Sequence, residues 1–281
     1  MRTGSLIITV FGDAILPRGG RVLLADLIGL LEAFSLNDSQ VRTALSRLVA
    51  DGWLEGKRLG RRSLYRVTRI GRHRFEEATR RIYFGPPTEW RGDWHIAVLP
   101  ISIEHDELRK DLGWLGFGTL APGVMLHPAP DASSLASVIR DLPAVERPLV
   151  ITGKSFPGDS PLLHTLVERC WDFGELSTAY QDFLATFASL RRALADGHKP
   201  TALEALLSRI ILIHDYRRIV LRDPMLPAQL LPRDWIGHEA FGAARQIYRA
   251  LCDVAERWID MHLHDESGPL PPPRPGLRRF P

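Results

Sequence analysis

The stretch that begins at Asn37 constrains the fold more than any other part of the chain. Asn37 and Gln40 have the spacing of a capping box, so a helix is predicted to begin there. Apolar residues recur every three or four positions along that helix, and Gly52 is typical of its end. Two short strands, Trp53–Arg58 and Ser63–Thr68, follow and predict a hairpin with a basic tip. A cationic helix followed by a basic hairpin is typical of a winged helix-turn-helix, so we expect DNA binding.

Hydrogen-bond donors and cations occupy the two surfaces that a winged helix presents to DNA. We expect the helix to read base edges, with Gln40 suited to adenine and Arg42 or Arg47 suited to guanine. The hairpin is expected to bind backbone phosphates, which position a protein on DNA without reading its sequence. The predicted DNA-binding residues are Ser39, Gln40, Arg42, Thr43, Ser46, Arg47, Lys57, Arg58, Arg61, Arg62 and Ser63.

Charge is unevenly distributed along the 281 residues. Residues 1–92 contain 16 Lys and Arg against 9 Asp and Glu, whereas the remainder contains 20 against 24. This asymmetry indicates that one half faces a polyanion, and the predominance of arginine suits bidentate contacts to phosphate and guanine. The alternative is a merely solvated helix face and hairpin. We disfavour it because the charges fall on both elements that a winged helix turns towards DNA.

The order of predicted elements indicates an α+β protein. Residues 1–84 form the winged helix-turn-helix domain, with further helices over 5–16, Leu23–Phe34 and Thr68–Phe84. Residues 85–92 are predicted as a linker, and residues 93–157 alternate as βαββαβ, the pattern of a ferredoxin-like domain. Residues 158–265 are predicted as a helical effector and dimerisation domain, and the proline-rich residues 266–281 as a disordered tail.

Several classes of protein are disfavoured by composition. No run of 18 apolar residues occurs, so we expect no membrane partner, and the first residues lack a signal-peptide cleavage site. The two cysteines, Cys170 and Cys252, argue against a disulfide scaffold and fit a reducing compartment. We therefore expect a soluble cytoplasmic protein, associated with the nucleoid through its binding to DNA.

Four motifs, in this order along nearly the whole chain, resemble the phenylacetic-acid degradation repressor family, PaaX. The motifs are VRTALSRLVADGWLEGKRLGRRSLYRVT (Val41–Thr68), WRGDWHIAVLP (Trp90–Pro100), LGFGTLAPGVMLHP (Leu115–Pro128) and HDYRRIVLRDPMLPAQLLPRDWIG (His214–Gly237). The resemblance implies an N-terminal winged helix, a Cas2-like ferredoxin-fold middle domain and a helical C-terminal domain. It also implies a homodimeric repressor of a catabolic operon, bound to a double-stranded DNA operator. Its effector would be an aryl- or acyl-coenzyme A (CoA) thioester such as phenylacetyl-CoA.

Arg217 and Arg218 are the candidate effector-binding residues, because arginine suits the three phosphates of CoA. The alternative is that both cations only stabilise the C-terminal end of their own helix. Trp171, Trp235 and Trp258 are candidates for an acyl pocket, although large aromatic residues in helical domains usually belong to the core.

Motifs of enzymes are absent from the sequence. It contains no Ser-His-Asp set, HExxH, Walker loop or GxGxxG, so we predict no catalytic residue, no cofactor and no metal site. His262 and His264 have a spacing that does not place both rings on one helix face. Two alternatives remain. Asp93 and Asp106 in a Cas2-like fold would suit a metal-dependent nuclease, and an acyl-CoA-handling enzyme with an attached DNA-binding domain would hydrolyse thioesters.

Overall fold

The computed structural model describes residues 2–85, 90–100, 106–128, 132–154, 160–274 and 279–280. Over these ranges the helices are α1 Thr3–Val10, α2 Leu24–Glu32, α3 Asp38–Ala50, α4 Arg69–Phe84, α5 Asp106–Trp114, α6 Ala132–Asp141, α7 Ser160–Cys170, α8 Phe173–Ala195, α9 Ala202–Val220 and α10 Ile236–His262. The strands are β1 Arg21–Leu23, β2 Leu54–Leu59, β3 Arg62–Val67, β4 Asp93–Val98, β5 Gly118–Ala121, β6 Val124–His127, β7 Leu149–Lys154, β8 His264–Asp265 and β9 Gly268–Pro269.

Contacts between residues divide the chain into two compact units. The first unit comprises Met1–Phe84, Phe183–Arg217 and Phe241–Pro281, and the second comprises Gly85–Asp182 and Arg218–Ala240. This division differs from the predicted one, in which residues 158–265 form a separate helical domain. Much of that helical region packs with the N-terminal residues instead, because its apolar helix faces are buried in the same unit as α1 to α4.

The N-terminal part of the first unit is built from α1 to α4 and a three-stranded antiparallel sheet of order β1-β3-β2. Helix α1 covers the first part of the helix predicted over 5–16 and continues as a π-helical turn, Phe11–Ile15, and a 3-10 turn, Leu16–Arg18. Strand β1 was not predicted from the sequence. Residues at helical spacing on α1, α2 and α3 are fully buried and form the core: Leu6, Ile7, Val10, Leu27, Leu31, Val41 and Leu45.

Side-chain caps set the starts of α3 and α4. The predicted capping box is confirmed: Asn37 Oδ1 accepts from the Gln40 amide and Gln40 Oε1 accepts from the Asn37 amide, both at 2.9 Å. Thr68 caps α4, since its hydroxyl accepts from the Gly71 amide at 2.8 Å. A Cβ at Gly71 would lie 2.2 Å from the carbonyl oxygen of Trp53, so this close crossing requires glycine.

The C-terminal part of the first unit ends in an ordered segment. Strands β8 and β9 form a short antiparallel hairpin, Leu270 is buried, and Phe280 has no exposed surface. Residues 266–274 and 279–280 therefore differ from the disordered tail predicted over 266–281, whose other residues lie outside the described part of the chain. Proline content favoured disorder in the sequence, but the described residues of this segment obtain buried apolar contacts and ion pairs from the rest of the unit.

The second unit contains a four-stranded antiparallel sheet of order β5-β6-β4-β7. The βαββαβ order predicted for its central part is confirmed, with α5 and α6 packed on one face of the sheet. The core on that face contains Ala97, Leu99, Leu108, Leu112, Phe117, Met125 and Leu135.

The opposite face of this sheet is apolar and partly open. Ile96 pairs in register with Ile151, and Val98 with Leu149, so these four side chains point to one side. Leu149 is 63% exposed and Ile151 is 47% exposed, and both belong to the edge strand β7. An uncharged row of this kind at a sheet edge is typical of a surface that pairs with another protein.

The proline-containing segment before α10 is held in the second unit by polar and aromatic contacts. Tyr180 donates to Asp223 Oδ2 at 2.7 Å, and Asp223 Oδ1 accepts from the Met225 amide at 2.7 Å. The ring of Trp235 packs edge-on against Tyr180, with ring centroids 5.8 Å apart. This anchoring agrees with the rigid extended path that the prolines predict.

Candidate nucleic-acid interface

Helix α3 separates a buried apolar side from an exposed polar side. Val41, Ala44, Leu45 and Leu48 are buried, as the 3.6-residue period predicts. The polar residues predicted to face DNA all lie on the exposed side: Ser39, Gln40, Arg42, Thr43, Ser46 and Arg47. The prediction that these side chains lie on the solvent-facing side of this helix is confirmed.

Two of the predicted base-reading residues have other partners within their own helix. The side-chain oxygen of Gln40 is used by the capping box, which removes one half of a bidentate contact to adenine. Arg42 Nε lies 2.6 Å from Asp38 Oδ1, an ion pair between positions i and i+4. Arg47 is exposed, and in the described part of the chain its guanidinium has no hydrogen bond or ion pair. It is the arginine of α3 that is most available to a guanine.

The hairpin β2–β3 presents a cationic tip. Leu59 pairs with Arg62, so the loop consists only of Gly60 and Arg61. Gly60 has φ of 61°, which matches a type II′ turn with glycine at its first central position. Arg58 Nε donates to the Gly60 carbonyl at 3.2 Å and supports the turn. The predicted phosphate-binding residues Lys57, Arg58, Arg61 and Arg62 are all exposed, and Ser63 is half-buried.

Arg66, one position that the sequence analysis did not include, is exposed on the same hairpin. Its Nε lies 2.7 Å from Glu55 Oε1 across the two strands, so part of its charge is already neutralised. Positive charge that is not paired in this way remains at the tip of the hairpin and at Arg47 on the exposed side of α3. Such a surface suits the regularly spaced phosphates of a double helix.

The candidate effector residues have different environments. Arg217 is half-buried and donates to the Ser5 hydroxyl at 3.0 Å, which ties α9 to α1 inside the first unit. Arg218 is exposed. Trp171 and Trp235 are buried, and Trp171 Nε1 donates to the Gly116 carbonyl at 2.9 Å, so both occupy core positions. Trp258 stacks on His262 with ring centroids 4.4 Å apart.

The remaining residues weighed for metal or nuclease chemistry have separate partners. His264 Nδ1 lies 3.0 Å from Asp26 Oδ2, whereas His262 Nδ1 lies 2.9 Å from the Trp258 carbonyl. Asp93 faces Lys154 and Asp106 faces Arg109, at 3.9 and 3.6 Å. Among the described residues, no group of three potential ligands has the geometry of a metal site.

A buried charge cluster in the first unit was missed by the sequence analysis. Arg209 Nε and Arg279 Nη1 lie 2.9 and 2.8 Å from the carboxylate of Asp13, which is fully buried. Tyr83 and Tyr248 donate to the same carboxylate at 2.8 and 3.1 Å. Burial alone would raise the pKa of Asp13, but the two arginines and two hydroxyls outweigh it and hold that pKa below its ordinary value.

The cluster extends towards the end of α10. Arg209 also pairs with Glu256 at 2.6 Å, and Glu256 in turn accepts from Nε of the buried Arg18 at 2.8 Å. Arg18 completes its contacts with Asp260 at 2.7 Å. The signal in the sequence was a charged residue within an apolar run, as at Asp13 and Arg209. Such charges are buried only with a partner.

Comparisons with known protein families match most of the chain. Three family models match: PaaX-like protein over residues 2–71, PaaX protein central Cas2-like domain over 87–162, and PaaX-like protein C-terminal domain over 171–261. In the part of the chain that the structure describes, each helix is too short or too polar to span a lipid bilayer.

One curated relative and one solved structure are similar over most of the chain. The transcriptional repressor PaaX of Escherichia coli (strain K12) is 33% identical over 279 residues, which cover 96% of this chain and 86% of the relative. An uncharacterised protein from Mycobacterium tuberculosis has a similar fold, with a TM-score of 0.56 and 23% identity over 90% of this chain and 97% of that one. The three consecutive family models and the extent of the identity show that the chain belongs to the PaaX family.

Proposed function

We propose that this protein is a DNA-binding transcriptional repressor whose residues 1–84 form a winged helix-turn-helix. The observation that carries the proposal is the joint exposure of the polar side of α3 and the cationic tip of the β2–β3 hairpin. Helix α2 precedes α3 across a short turn and buries its apolar side, as the supporting helix of such a motif does. The relative from Escherichia coli bears the name of a transcriptional repressor, which supports the same function.

Recognition would occur in two layers. Arg47 would contact guanine in the major groove, with Ser39, Thr43 and Ser46 as further donors on the same side of α3. Lys57, Arg58, Arg61 and Arg62 would bind phosphates, which supply affinity that is independent of sequence. A bidentate contact from Gln40 to adenine would require it to give up the cap, and Arg42 would be fully available only after giving up its ion pair with Asp38.

Repression by such a domain is expected from a homodimer. Two recognition helices would enter successive major grooves, about 34 Å apart, on an imperfect palindrome. The open face of the four-stranded sheet is the surface that we assign to a second copy of the chain. It is uncharged at Ile96, Val98, Leu149 and Ile151, so two copies meet without electrostatic repulsion when the faces are placed together.

The proposed effector is an aryl- or acyl-CoA thioester, with phenylacetyl-CoA as the first compound to test, and the regulated genes form a catabolic operon. Arg218 is exposed and suits a CoA phosphate, whereas Arg217 is already engaged with Ser5. The effector would favour a state of the protein that binds DNA weakly, by binding that state more tightly than the other. The protein would then act in the cytoplasm, at the nucleoid.

The proposal is tested by gel shifts of the full-length protein on DNA from upstream of its own gene. We expect a complex that withstands competition by scrambled DNA and that phenylacetyl-CoA dissociates. Equal affinity for scrambled DNA would contradict specific repression. Metal-dependent cleavage of the DNA would support a nuclease instead, and turnover of the thioester would support an enzyme.

A further inference from the structure

Four aromatic rings of the first unit surround the buried side chain of Phe280. These rings, which we call the aromatic box, are Tyr83, Tyr216, Phe241 and Tyr248. The ring centroids of Tyr83 and Tyr248 each lie 5.2 Å from that of Phe280, a separation typical of favourable aromatic pairs. Phe280 has no exposed surface. The box therefore fits one phenyl ring carried on a methylene group.

Buried polar contacts hold two walls of the box in place. Tyr83 and Tyr248 both donate to Asp13, and Arg279 lies over the Tyr83 ring at 4.5 Å. Burial, and then the charge of Asp13, raise the pKa of Tyr248 above its ordinary value, so its hydroxyl stays a donor at neutral pH. The hydrogen bonds of Tyr83 and Tyr248 to Asp13, and the ion pair of Asp13 with Arg209, involve no residue of the segment that carries Phe280. These two walls therefore keep their positions when the occupant of the box changes, whereas Arg279 leaves together with Phe280.

The segment that carries Phe280 is anchored elsewhere to the sheet of the predicted DNA-binding domain. We call its described residues, 264–274 and 279–280, the C-terminal strap. Its hairpin lies against β1, where Arg21 Nη1 approaches Glu266 at 2.6 Å, and the His264 amide donates to Asp26 of α2 at 2.8 Å. Strand β1 pairs with β3, one strand of the cationic hairpin. The strap thus joins the aromatic box to the sheet that supports that hairpin.

The strap also acts on the cationic hairpin through charge. The pKa of Glu266 is lowered first by a hydrogen bond from its own amide, then by Arg21, with a smaller attraction from Lys57 of β2. A carboxylate of the strap therefore lies within electrostatic reach of a predicted phosphate-binding lysine. If the strap moves, both the support of β1 and the charge beside the hairpin change.

From these contacts we propose that the aromatic box is the binding site for a ligand with a phenylmethyl group, the arylacetyl part of a thioester, which enters by displacing Phe280. The proposal rests on the proposed function, in which such a thioester dissociates the protein from DNA. An arylacetyl group and a phenylalanine side chain both carry a phenyl ring on one methylene. The ligand therefore recovers the aromatic contacts that Phe280 gives up, and it selects the state in which the strap is released.

Competition between Phe280 and the ligand for the aromatic box has a measurable effect on the affinity for the ligand. Phe280 is covalently held near the box, so its effective concentration is high and the ligand binds only the fraction of molecules with an empty box. Removal of the competing ring raises that fraction to one. Release of the strap removes its contacts with β1 and weakens DNA binding.

The first experiment compares the wild-type protein with Phe280→Ala by isothermal titration calorimetry. Since an alternative state is typically populated at about 10% or less, we expect phenylacetyl-CoA to bind Phe280→Ala about tenfold or more tightly than wild type. Acetyl-CoA, which lacks the ring, should bind both proteins alike. Phe84→Ala removes an exposed ring outside the box and serves as the control variant. An unchanged affinity of Phe280→Ala for phenylacetyl-CoA, or no binding to either protein, would overturn the proposal.

The second experiment uses the wild-type protein alone and does not depend on how a variant folds. Saturation with phenylacetyl-CoA should accelerate amide hydrogen exchange in residues 264–274, whereas acetyl-CoA should not. If phenylacetyl-CoA dissociates the DNA complex without changing exchange in the strap, this site is wrong and the proposed function stands. If the strap is released by phenylacetyl-CoA but the protein binds no specific DNA, the site stands and the proposed function is wrong.

Discussion

The carboxylate of Asp13 lies 2.9 Å from Nε of Arg209, and neither side chain has any exposed surface. Arg279 approaches the same carboxylate, and Tyr83 and Tyr248 donate hydrogen bonds to it. Asp13, in the π-helical turn after α1, therefore contacts residues of α4, α9, α10 and the C-terminal strap. A buried charge without a partner is costly, so each member of this cluster depends on the others.

Asp13→Asn is expected to lower the free energy of unfolding by about 3–5 kcal/mol, because two buried arginines lose the charge that compensates them. Asp253→Asn, an exposed position on α10, should change it by less than about 0.5 kcal/mol. Urea unfolding followed by circular dichroism measures both variants. Similar decreases in the free energy of unfolding for the two variants would show that Asp13 stabilises the protein no more than an exposed aspartate does.

The same carboxylate predicts how stability depends on pH. The pKa of Asp13 is lowered in the folded protein, because Arg209 and Arg279 outweigh the effect of burial, whereas an unfolded aspartate has a pKa of about 3.9. Its contribution to stability is therefore present above about pH 4 and is lost as the pH falls through the lower, folded pKa. Unfolding free energies measured from pH 6 to pH 2.5 should decline less steeply for Asp13→Asn than for wild type. Parallel curves would contradict the assignment.

Gly71→Ala is expected to destabilise the first unit by about 1–3 kcal/mol, because its methyl group would overlap the Trp53 carbonyl, and the backbone must move to make room. Gly29→Ala is the matched control, since it lies in α2 with no atom within 4 Å of the added group. The control should be stabilised by about 0.5–1 kcal/mol through helix propensity. Thermal unfolding distinguishes the two, and a melting temperature of Gly71→Ala at or above that of wild type would be inconsistent with the observed crossing.

Features that depend on neighbouring residues were predictable from the sequence, and features that depend on distant partners were not. The capping box at Asn37 and the buried side of α3 follow from spacing alone, and both are confirmed. The short strand β1 exists only because it pairs with β3, so its own three residues contain little signal. The contact between Asp13 and Arg279 spans 266 positions, which no local pattern reveals.

In the candidate site, too, sequence spacing does not reveal which partner a side-chain atom binds. Position 40 was predicted both to cap α3 and to read adenine, and sequence spacing supports either role. The structure shows that its side-chain oxygen accepts from the Asn37 amide, so the two roles compete. The exposed cations of the hairpin were predictable because a hairpin tip has few neighbours that could bury them.

Ile151→Glu is expected to convert the proposed dimer into a monomer, because it places a charge on the uncharged sheet face of each copy. Val145→Glu is the control: Val145 is 76% exposed but lies in a 3-10 turn before β7, not on the sheet face. Sedimentation velocity at micromolar concentration measures both. A dimer that persists in Ile151→Glu, or a monomeric wild-type protein, would remove this face as the interface.

Arg47 and Arg61 should affect DNA binding in different ways, because one lies on α3 and the other at the tip of the hairpin. Arg47→Ala is expected to cost about 1–3 kcal/mol on the operator and to relax the preference at one base position, with little effect on random DNA. Arg61→Ala should weaken binding to every sequence and reduce the salt dependence of log K by about one unit, since one phosphate contact is lost.

Arg42→Ala is a third variant. Because the guanidinium of Arg42 is already paired with Asp38, its removal should reduce the preference for the operator over scrambled DNA less than removal of Arg47 does. Fluorescence anisotropy on operator and scrambled duplexes, from 50 to 300 mM salt, separates specificity from affinity. If Arg47→Ala weakened binding to the operator and to the scrambled duplex equally, α3 would not read bases. If Arg61→Ala left the salt dependence of log K unchanged, the hairpin would not bind phosphate. The exposed cationic surface would then require a partner other than the double helix.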